Sequence, residues 1–204
     1  MDVHPDFDTE REAIFDQMSV HWDAMTSKPA SAHIASLLAA AEVEGKIVLD
    51  IGAGTGVLLE AGLALSPKRW IACDLSSKML QILIAKFAGH PNVETLHADV
   101  HHLPIKSGSI DTVICHNAFP HFRSPAVALA ELYRVLKPGG RFVIDHSLGR
   151  ETLNKIHRAS QYEILNGDLL APAEMVAGQL RAAGFTIMDQ TDTDTLYRIV
   201  AKRS

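Results

Sequence analysis

The run Val48-Leu49-Asp50-Ile51-Gly52-Ala53-Gly54-Thr55-Gly56 constrains this chain more than any other segment. Ile47 to Ile51 is an apolar stretch of strand type, and it leads directly into three glycines on alternate positions. A helical pattern follows. Glycines at a strand-to-helix turn leave no Cβ in the way, so the backbone can approach a ligand closely. Asp50 lies just before the glycines. A carboxylate there repels a pyrophosphate and suits a cation.

The 204 residues suit one domain with a small appendage. Apolar residues make up 47% of the chain, enough for a sizeable core. The net charge of −5 and the absence of a Lys/Arg cluster disfavour nucleic acid or an anionic membrane as main partner. No apolar run approaches the ~20 residues of a membrane span. Met1 to Glu10 is acidic and polar, unlike a signal peptide, so the expected location is the cytoplasm. Cys73 and Cys115 lie in strand-like runs expected to flank the first strand, about 9–10 Å apart, and read as buried free thiols.

Phe7, Phe15 and Trp22 mark an aromatic and charged N-terminal segment, with one or two short helices over Thr9 to Met25. Lys28-Pro29 breaks that pattern, and Gly45 closes a helix over Ser31 to Ala41. Strand and helix patterns then alternate. Strand Lys46–Ile51 leads to helix Thr55–Leu65, and strand Trp70–Asp74 to helix Ser76–Phe87 with Ser76 as N-cap. Strands Val93–Ala98 and Ile110–Cys115 precede helix Pro125–Leu136, which Gly139-Gly140 closes. Strand Arg141–Asp145, an irregular insertion over Ser147 to Ala171, helix Pro172–Ala183 and strands Phe185–Asp189 and Leu196–Ala201 complete the chain, with a basic tail. Alternating strands and helices predict a mostly parallel sheet covered on both faces, with ligands at the carboxyl ends of its strands. Asp50 to Gly56, Asp74, Asp99 and His116-Asn117 all fall at such ends.

Asp74 follows Gly52 by 22 residues, where an acid can bind both hydroxyls of a ribose. That placement fits NAD and S-adenosylmethionine alike. Two features separate them. Val57 stands where a dinucleotide fingerprint wants a small residue, and Asp99 supplies an acceptor for an adenine amino group. Together with the cation preference of Asp50, these favour S-adenosylmethionine.

At this point the chain resembles the class I S-adenosylmethionine-dependent methyltransferases, in their small single-domain form similar to the ubiquinone/menaquinone methyltransferases. The resemblance runs from about Phe15 to Phe185. It rests on the glycine run, on Cys73-Asp74-Leu75-Ser76 with Met79-Leu80, and on His97-Ala98-Asp99-Val100 with Leu103-Pro104. Ile110-Asp111-Thr112-Val113 and Leu132-Tyr133-Arg134-Val135-Leu136-Lys137-Pro138-Gly139-Gly140-Arg141-Phe142 complete it. The resemblance implies a Rossmann-like α/β fold: a seven-stranded doubly wound sheet, order 3-2-1-4-5-7-6, last strand antiparallel, helices on both faces. It also implies roles. Asp50 with Gly52, Ala53, Gly54 and Gly56 holds the methionine part of the cofactor. Asp74 takes the ribose hydroxyls, Leu75 and Met79 sandwich the adenine, and Asp99 and Val100 read its edge. His116 lies beside the methionine moiety. Asp111 and Arg134 are expected to be structural.

Methyl transfer requires mainly that the nucleophile be positioned and water excluded, with a base only where the nucleophile arrives protonated. Cys115-His116-Asn117-Ala118-Phe119-Pro120-His121-Phe122 is not the Asn-Pro-Pro-Tyr segment of amino-methylating enzymes, so nucleic-acid base methylation is unsupported. His116, His121 and His146 are the candidate catalytic residues, expected to cluster near the strand ends with His157. Several histidines could bind zinc, nickel or iron, but no local spacing marks a metal site, and none is assigned. His101-His102 is expected in a solvent-facing loop.

The whole chain reads as one domain, with residues 1–30 as an N-terminal helical lid bearing Phe15-Asp16 and His21-Trp22-Asp23. Residues 147–171 form the substrate-side wall, where Arg150 and Arg158 could bind an anionic substrate group. The leading expectation is methyl transfer to a small-molecule acceptor by a monomer or homodimer. The alternatives are a cofactor-binding regulatory protein without catalysis, a metal-assisted methyltransferase, and a nucleotide-dependent oxidoreductase.

Overall fold

A computed structural model describes residues 8–26 and 29–204. Phe7 and Lys28 lie outside the described residues. Helices α1 (Thr9–Ser19) and α2 (Trp22–Met25) precede α3 (Ser31–Ala41). The sheet is built from β1 (Ile47–Ile51), β2 (Arg69–Asp74), β3 (Val93–His97), β4 (Ile110–His116), β5 (Leu136–His146), β6 (Phe185–Asp192) and β7 (Tyr197–Arg203). Between them lie α4 (Leu59–Leu63), α5 (Ser77–Lys86), α6 (Pro125–Val135), α7 (Arg150–Arg158), α8 (Glu163–Asn166) and α9 (Ala173–Ala182).

The seven strands stand in the order β3-β2-β1-β4-β5-β7-β6. β1 to β5 pair in parallel, and β7 is antiparallel to both of its neighbours. Expected and observed topologies agree. Strand alternation sends successive side chains to opposite faces. Val48, Trp70, Ala72, Ile114, Val143 and Val200 meet α3, α4 and α5 in one core layer. Leu49, Ile51, Cys73, Cys115, Phe142, Ile144 and Ile199 meet α6 and α9 in the other. Cys73 and Cys115 are buried, free, and both in register with Ile51 from opposite sides, as expected.

Several boundaries move for identifiable reasons. The helix expected from Thr55 begins only at Leu59, because Gly54 (φ 54°) and Gly56 (φ 91°) hold left-handed backbone that a right-handed helix cannot continue. Glu42, itself left-handed at φ 52°, ends α3 three residues before Gly45. Leu136 leaves α6 and pairs with Ile110 as the start of β5, ahead of Gly139-Gly140. The expected basic tail, Lys202-Arg203, belongs to β7. The irregular insertion contains α7 and α8. Ser76 caps α5 as expected, its hydroxyl accepting from the Met79 amide at 3.1 Å. Arg134 is structural: its guanidinium donates to the carbonyls of Leu103 and Ile105. Asp111 accepts from the Ile47 amide and from Lys137.

Candidate cofactor and acceptor site

A cleft opens at the carboxyl ends of β1, β2, β3 and β4. Gly52, Gly54, Asp74, Leu75 and Met79 line it, with Asp99, Val100 and His101. Asn117, Ala118, His121 and Phe122 line it as well. Phe15 and Trp22 reach in from the N-terminal helices. Most residues assigned to the cofactor from sequence therefore line one space; Asp50, Ala53, Gly56 and His116 lie just behind it.

Each acid is shaped differently. Asp50 is 2% exposed and shares the α3 face with Trp70, whose indole N–H donates to it at 3.3 Å. Burial, with a smaller contribution from the negative charge of Asp74, pushes its pKa up to about 7. A nearby cation would draw that proton off, which is the electrostatic preference read from the sequence. Asp74 anchors the loop: the Gly54 amide donates to one oxygen at 2.7 Å and the Ser76 amide to the other at 2.8 Å. Each oxygen keeps a lone pair for a further donor, as two neighbouring hydroxyls require. Burial would raise the pKa of Asp99, but hydrogen bonds from the His101 side chain and amide hold it below the ordinary carboxylate value. His101 is thus buried, contrary to the solvent-facing loop expected of His101-His102. Two apolar neighbours of Asp99, Val100 and Leu103, fold into the core and carry the loop inward.

The candidate catalytic histidines lie near enough for the charges of His116, His121 and His157 to act on His146, but each has different hydrogen-bond partners. His116, Asp145 and Arg198 share the parity of Ile114, Val143 and Val200 and so point toward α3. There His116 Nδ1 lies 2.8 Å from Asp145 Oδ1, and His33 Nε2 from the first turn of α3 lies 2.7 Å from the same oxygen. Arg198 Nε donates to Asp145 Oδ2 at 2.7 Å, and Arg198 Nη1 to Ser36 Oγ at 2.8 Å. Burial would raise Asp145; the donors from His116 and His33 outweigh it and hold the carboxylate ionised. His146 is the next residue along but faces the opposite layer, against Tyr197, with ring centroids 5.7 Å apart. Full burial pushes its pKa down to about 3, so it remains neutral. Neither of its ring nitrogens is hydrogen-bonded among the described residues. His121 sits between these sets: its Nδ1 is 2.9 Å from Asp168 Oδ2, and its ring is 5.0 Å from that of His157.

Hydrogen-bond logic fixes the His116 tautomer. The Ser147 amide donates to Asn117 Oδ1 at 3.0 Å, so the Asn117 NH₂ group faces His116 Nε2 at 3.1 Å. Nε2 therefore accepts, and Nδ1 carries the proton donated to Asp145. His33, His116 and Asp145 also offer ligand atoms within 4.8 Å of one another, a metal-like grouping. A proton on Nδ1, and Arg198 on the second carboxylate oxygen, make it a hydrogen-bonded network in this state.

The N-terminal helices grip the rim through carboxylates. Asp16 accepts from Ser76 Oγ at 2.5 Å and from the Lys78 amide at 3.2 Å, and Asp23 accepts from Thr55 Oγ1 at 2.5 Å. Arg11 bridges to Asp168 at 2.7 Å. Exposed pairs such as Asp23–Lys86 contribute ~0–1 kcal/mol each, so the partly buried Arg11–Asp168 pair and the Phe15 ring, 5.2 Å from His121, matter more. Of the two insertion arginines, Arg150 is engaged with Asp192 at 3.2 Å and with Glu151 at 2.6 Å. Sequence reading missed His33, Asp145 and Arg198. The signal available was strand parity: Asp145 and His116 stand in register near the ends of adjacent strands.

No helix among the described residues is long and apolar enough to cross a membrane. A family model described as a methyltransferase domain matches residues 49–144. The chain is 34% identical over 203 residues to the demethylmenaquinone methyltransferase of Clavibacter sepedonicus, covering 87% of this chain and 82% of that protein. It is 37% identical over 117 residues to the malonyl-(acyl-carrier protein) O-methyltransferase of Marinomonas sp. (strain MWYL1), covering 57% of this chain and 43% of that one. An S-adenosylmethionine-dependent methyltransferase from Aquifex aeolicus superposes with a TM-score of 0.70 at 20% identity, over 97% of this chain and 100% of that one. The glycine loop, the three strand-end acids, the sheet order and these relatives agree: the chain belongs to the class I S-adenosylmethionine-dependent methyltransferases and is an enzyme of that cofactor.

Proposed function

We propose that the enzyme methylates a small-molecule acceptor whose attacking atom gives up its proton to His116. The observation that carries this reading is the His116 tautomer, with a lone pair on Nε2 and the opposite nitrogen anchored on a buried carboxylate. Asn117 bonds that lone pair and also lines the cleft, which connects the base to the cofactor space.

The residues present fit the cofactor. Asp50 and the Gly52–Gly56 backbone would hold its methionine part, with Asp50 offering a charge that a bound ammonium stabilises. Asp74 would take the ribose hydroxyls, Leu75 and Met79 would flank the adenine, and Asp99 with Val100 would read its edge. When bound, the cofactor supplies a methyl group on a sulfonium, an already excellent leaving group. The protein therefore has three tasks. Residues 8–26 act as the lid, with Phe15 and Trp22 excluding water. Residues 147–171 form the acceptor-side wall, bringing His157 and Asp168 to His121. His116 Nε2 exchanges its bond to Asn117 for the acceptor proton, and the resulting imidazolium is stabilised by Asp145. Arg198 and His33 hold Asp145 in place. His121 is a polar wall residue in this scheme.

The relative named for demethylmenaquinone supports a small-molecule acceptor. The test is S-adenosylhomocysteine production over a panel of hydroquinones, phenols, carbon acids, carboxylates, amines and transfer RNA. We expect product with acceptors that must lose a proton at the attacking oxygen or carbon. Turnover confined to carboxylates or to RNA would overturn the reading.

A further inference from the structure

We propose that His101 is a positioning residue for adenine: it locks Asp99 so that one carboxylate oxygen, Oδ2, is left to recognise the amino group. This inference rests on the assignment of Asp99 to the adenine edge.

The loop after β3 buries His101, and its two ring nitrogens have distinct partners. The Ser124 amide lies 3.0 Å from Nε2, and a backbone N–H can only donate. Nε2 therefore carries the lone pair and Nδ1 the proton, which His101 donates to Asp99 Oδ1. The His101 backbone amide donates to the same oxygen at 2.9 Å. Both lone pairs of Oδ1 are thus committed. Oδ2 receives the Asp8 amide at 3.2 Å, which leaves one lone pair. Asp99, His101 and Phe122 all line the cleft, and the Phe122 ring stands edge-on to the imidazole at 6.4 Å, holding its plane. The carboxylate cannot turn without breaking bonds at both ends of His101.

The chemical consequence is selectivity. A fixed, ionised oxygen only accepts. It welcomes the amino group of adenine and repels the carbonyl oxygen that hypoxanthine presents at the same position. A carboxyl group free to rotate or protonate would tolerate either. His101 also joins the adenine end to the start of α6 through Ser124, so the specificity device spans two strand-end loops.

The experiment is calorimetric titration of S-adenosylhomocysteine and of S-inosylhomocysteine into the wild type, His101→Phe and His101→Asn. Both ligands are titrated into the same preparation, so any unfolded fraction cancels from their affinity ratio. The wild type should prefer the adenine compound by at least about tenfold. His101→Phe keeps the ring against Phe122 but removes both nitrogens, and the ratio should fall about tenfold, toward one. His101→Asn retains a donor near the Nδ1 position and should keep most of the preference. An unchanged ratio in His101→Phe overturns the proposal, and so does an equal collapse in both variants. A wild-type ratio near one instead removes the Asp99 assignment on which it rests.

Discussion

Replacing His116 by alanine should lower turnover by about 10²–10⁴, the range over which a positioned proton acceptor acts, with little change in S-adenosylhomocysteine affinity. His116 Nε2 is left as an acceptor facing Asn117, a cleft residue, and its other nitrogen is tied to Asp145. Removing the ring deletes the proton acceptor and leaves the glycine loop, Asp74 and Asp99 in place. Single-turnover kinetics at saturating cofactor, paired with calorimetry, separates the two quantities. Equal losses in rate and in cofactor affinity would make His116 a binding residue. The same experiment on Asp145→Asn gives a less direct answer. Asp145 is wholly buried beside Arg198, and removing one partner of such a pair costs ~3–5 kcal/mol in stability. His116→Ala also removes a donor to Asp145 but leaves the Arg198–Asp145 pair intact, so it disturbs folding less than Asp145→Asn.

Gly52→Ala should weaken binding of S-adenosylhomocysteine by ~2–5 kcal/mol, combining left-handed strain with a steric clash. Gly52 holds φ at 71°, and a Cβ there would lie 2.4 Å from the Ala118 side chain. Neither neighbour can yield easily. Ala118 follows Asn117, itself left-handed at φ 55°, and the Gly52 amide is bonded to the Cys73 carbonyl at 2.9 Å. The loop must move away from β4, and it takes the Gly54–Asp74 bond with it. Calorimetry on the folded variant measures the loss. Gly45→Ala is the control, since its Cβ meets nothing within 4 Å despite φ of 66°, so it reports backbone strain alone. Equal affinity for wild type and Gly52→Ala would mean that the loop does not contact the cofactor.

The fold was legible because the sheet writes itself in two local signals, apolar strand runs and the glycine or Ser-Pro punctuation between them. Asp50, Asp74 and Asp99 could be placed together because each ends a strand, and strand ends in a parallel sheet converge. What local pattern could not supply was the face on which a residue emerges relative to distant elements. His116, His121 and His146 look equivalent as strand-end histidines, yet alternation sends His116 and His146 into different layers. His33 lies on α3, and its partner Asp145 is 112 positions away. His101 looked like loop surface because its polar neighbours in sequence gave no hint of Asp99 and the Ser124 amide closing around it. The helix expected from Thr55 failed on backbone grounds, since the glycines that open the site also delay the helix.

These assignments require one cleft to hold the cofactor with its reactive end toward the Asn117–His116 side. A crystal structure with S-adenosylhomocysteine tests it most directly. The ribose hydroxyls should lie on Asp74, the adenine amino group on Asp99 Oδ2, and the thioether sulfur next to Asn117, with His116 Nε2 open to the space beyond it. A sulfur turned away from Asn117, toward the Asp99 end of the cleft, would contradict it.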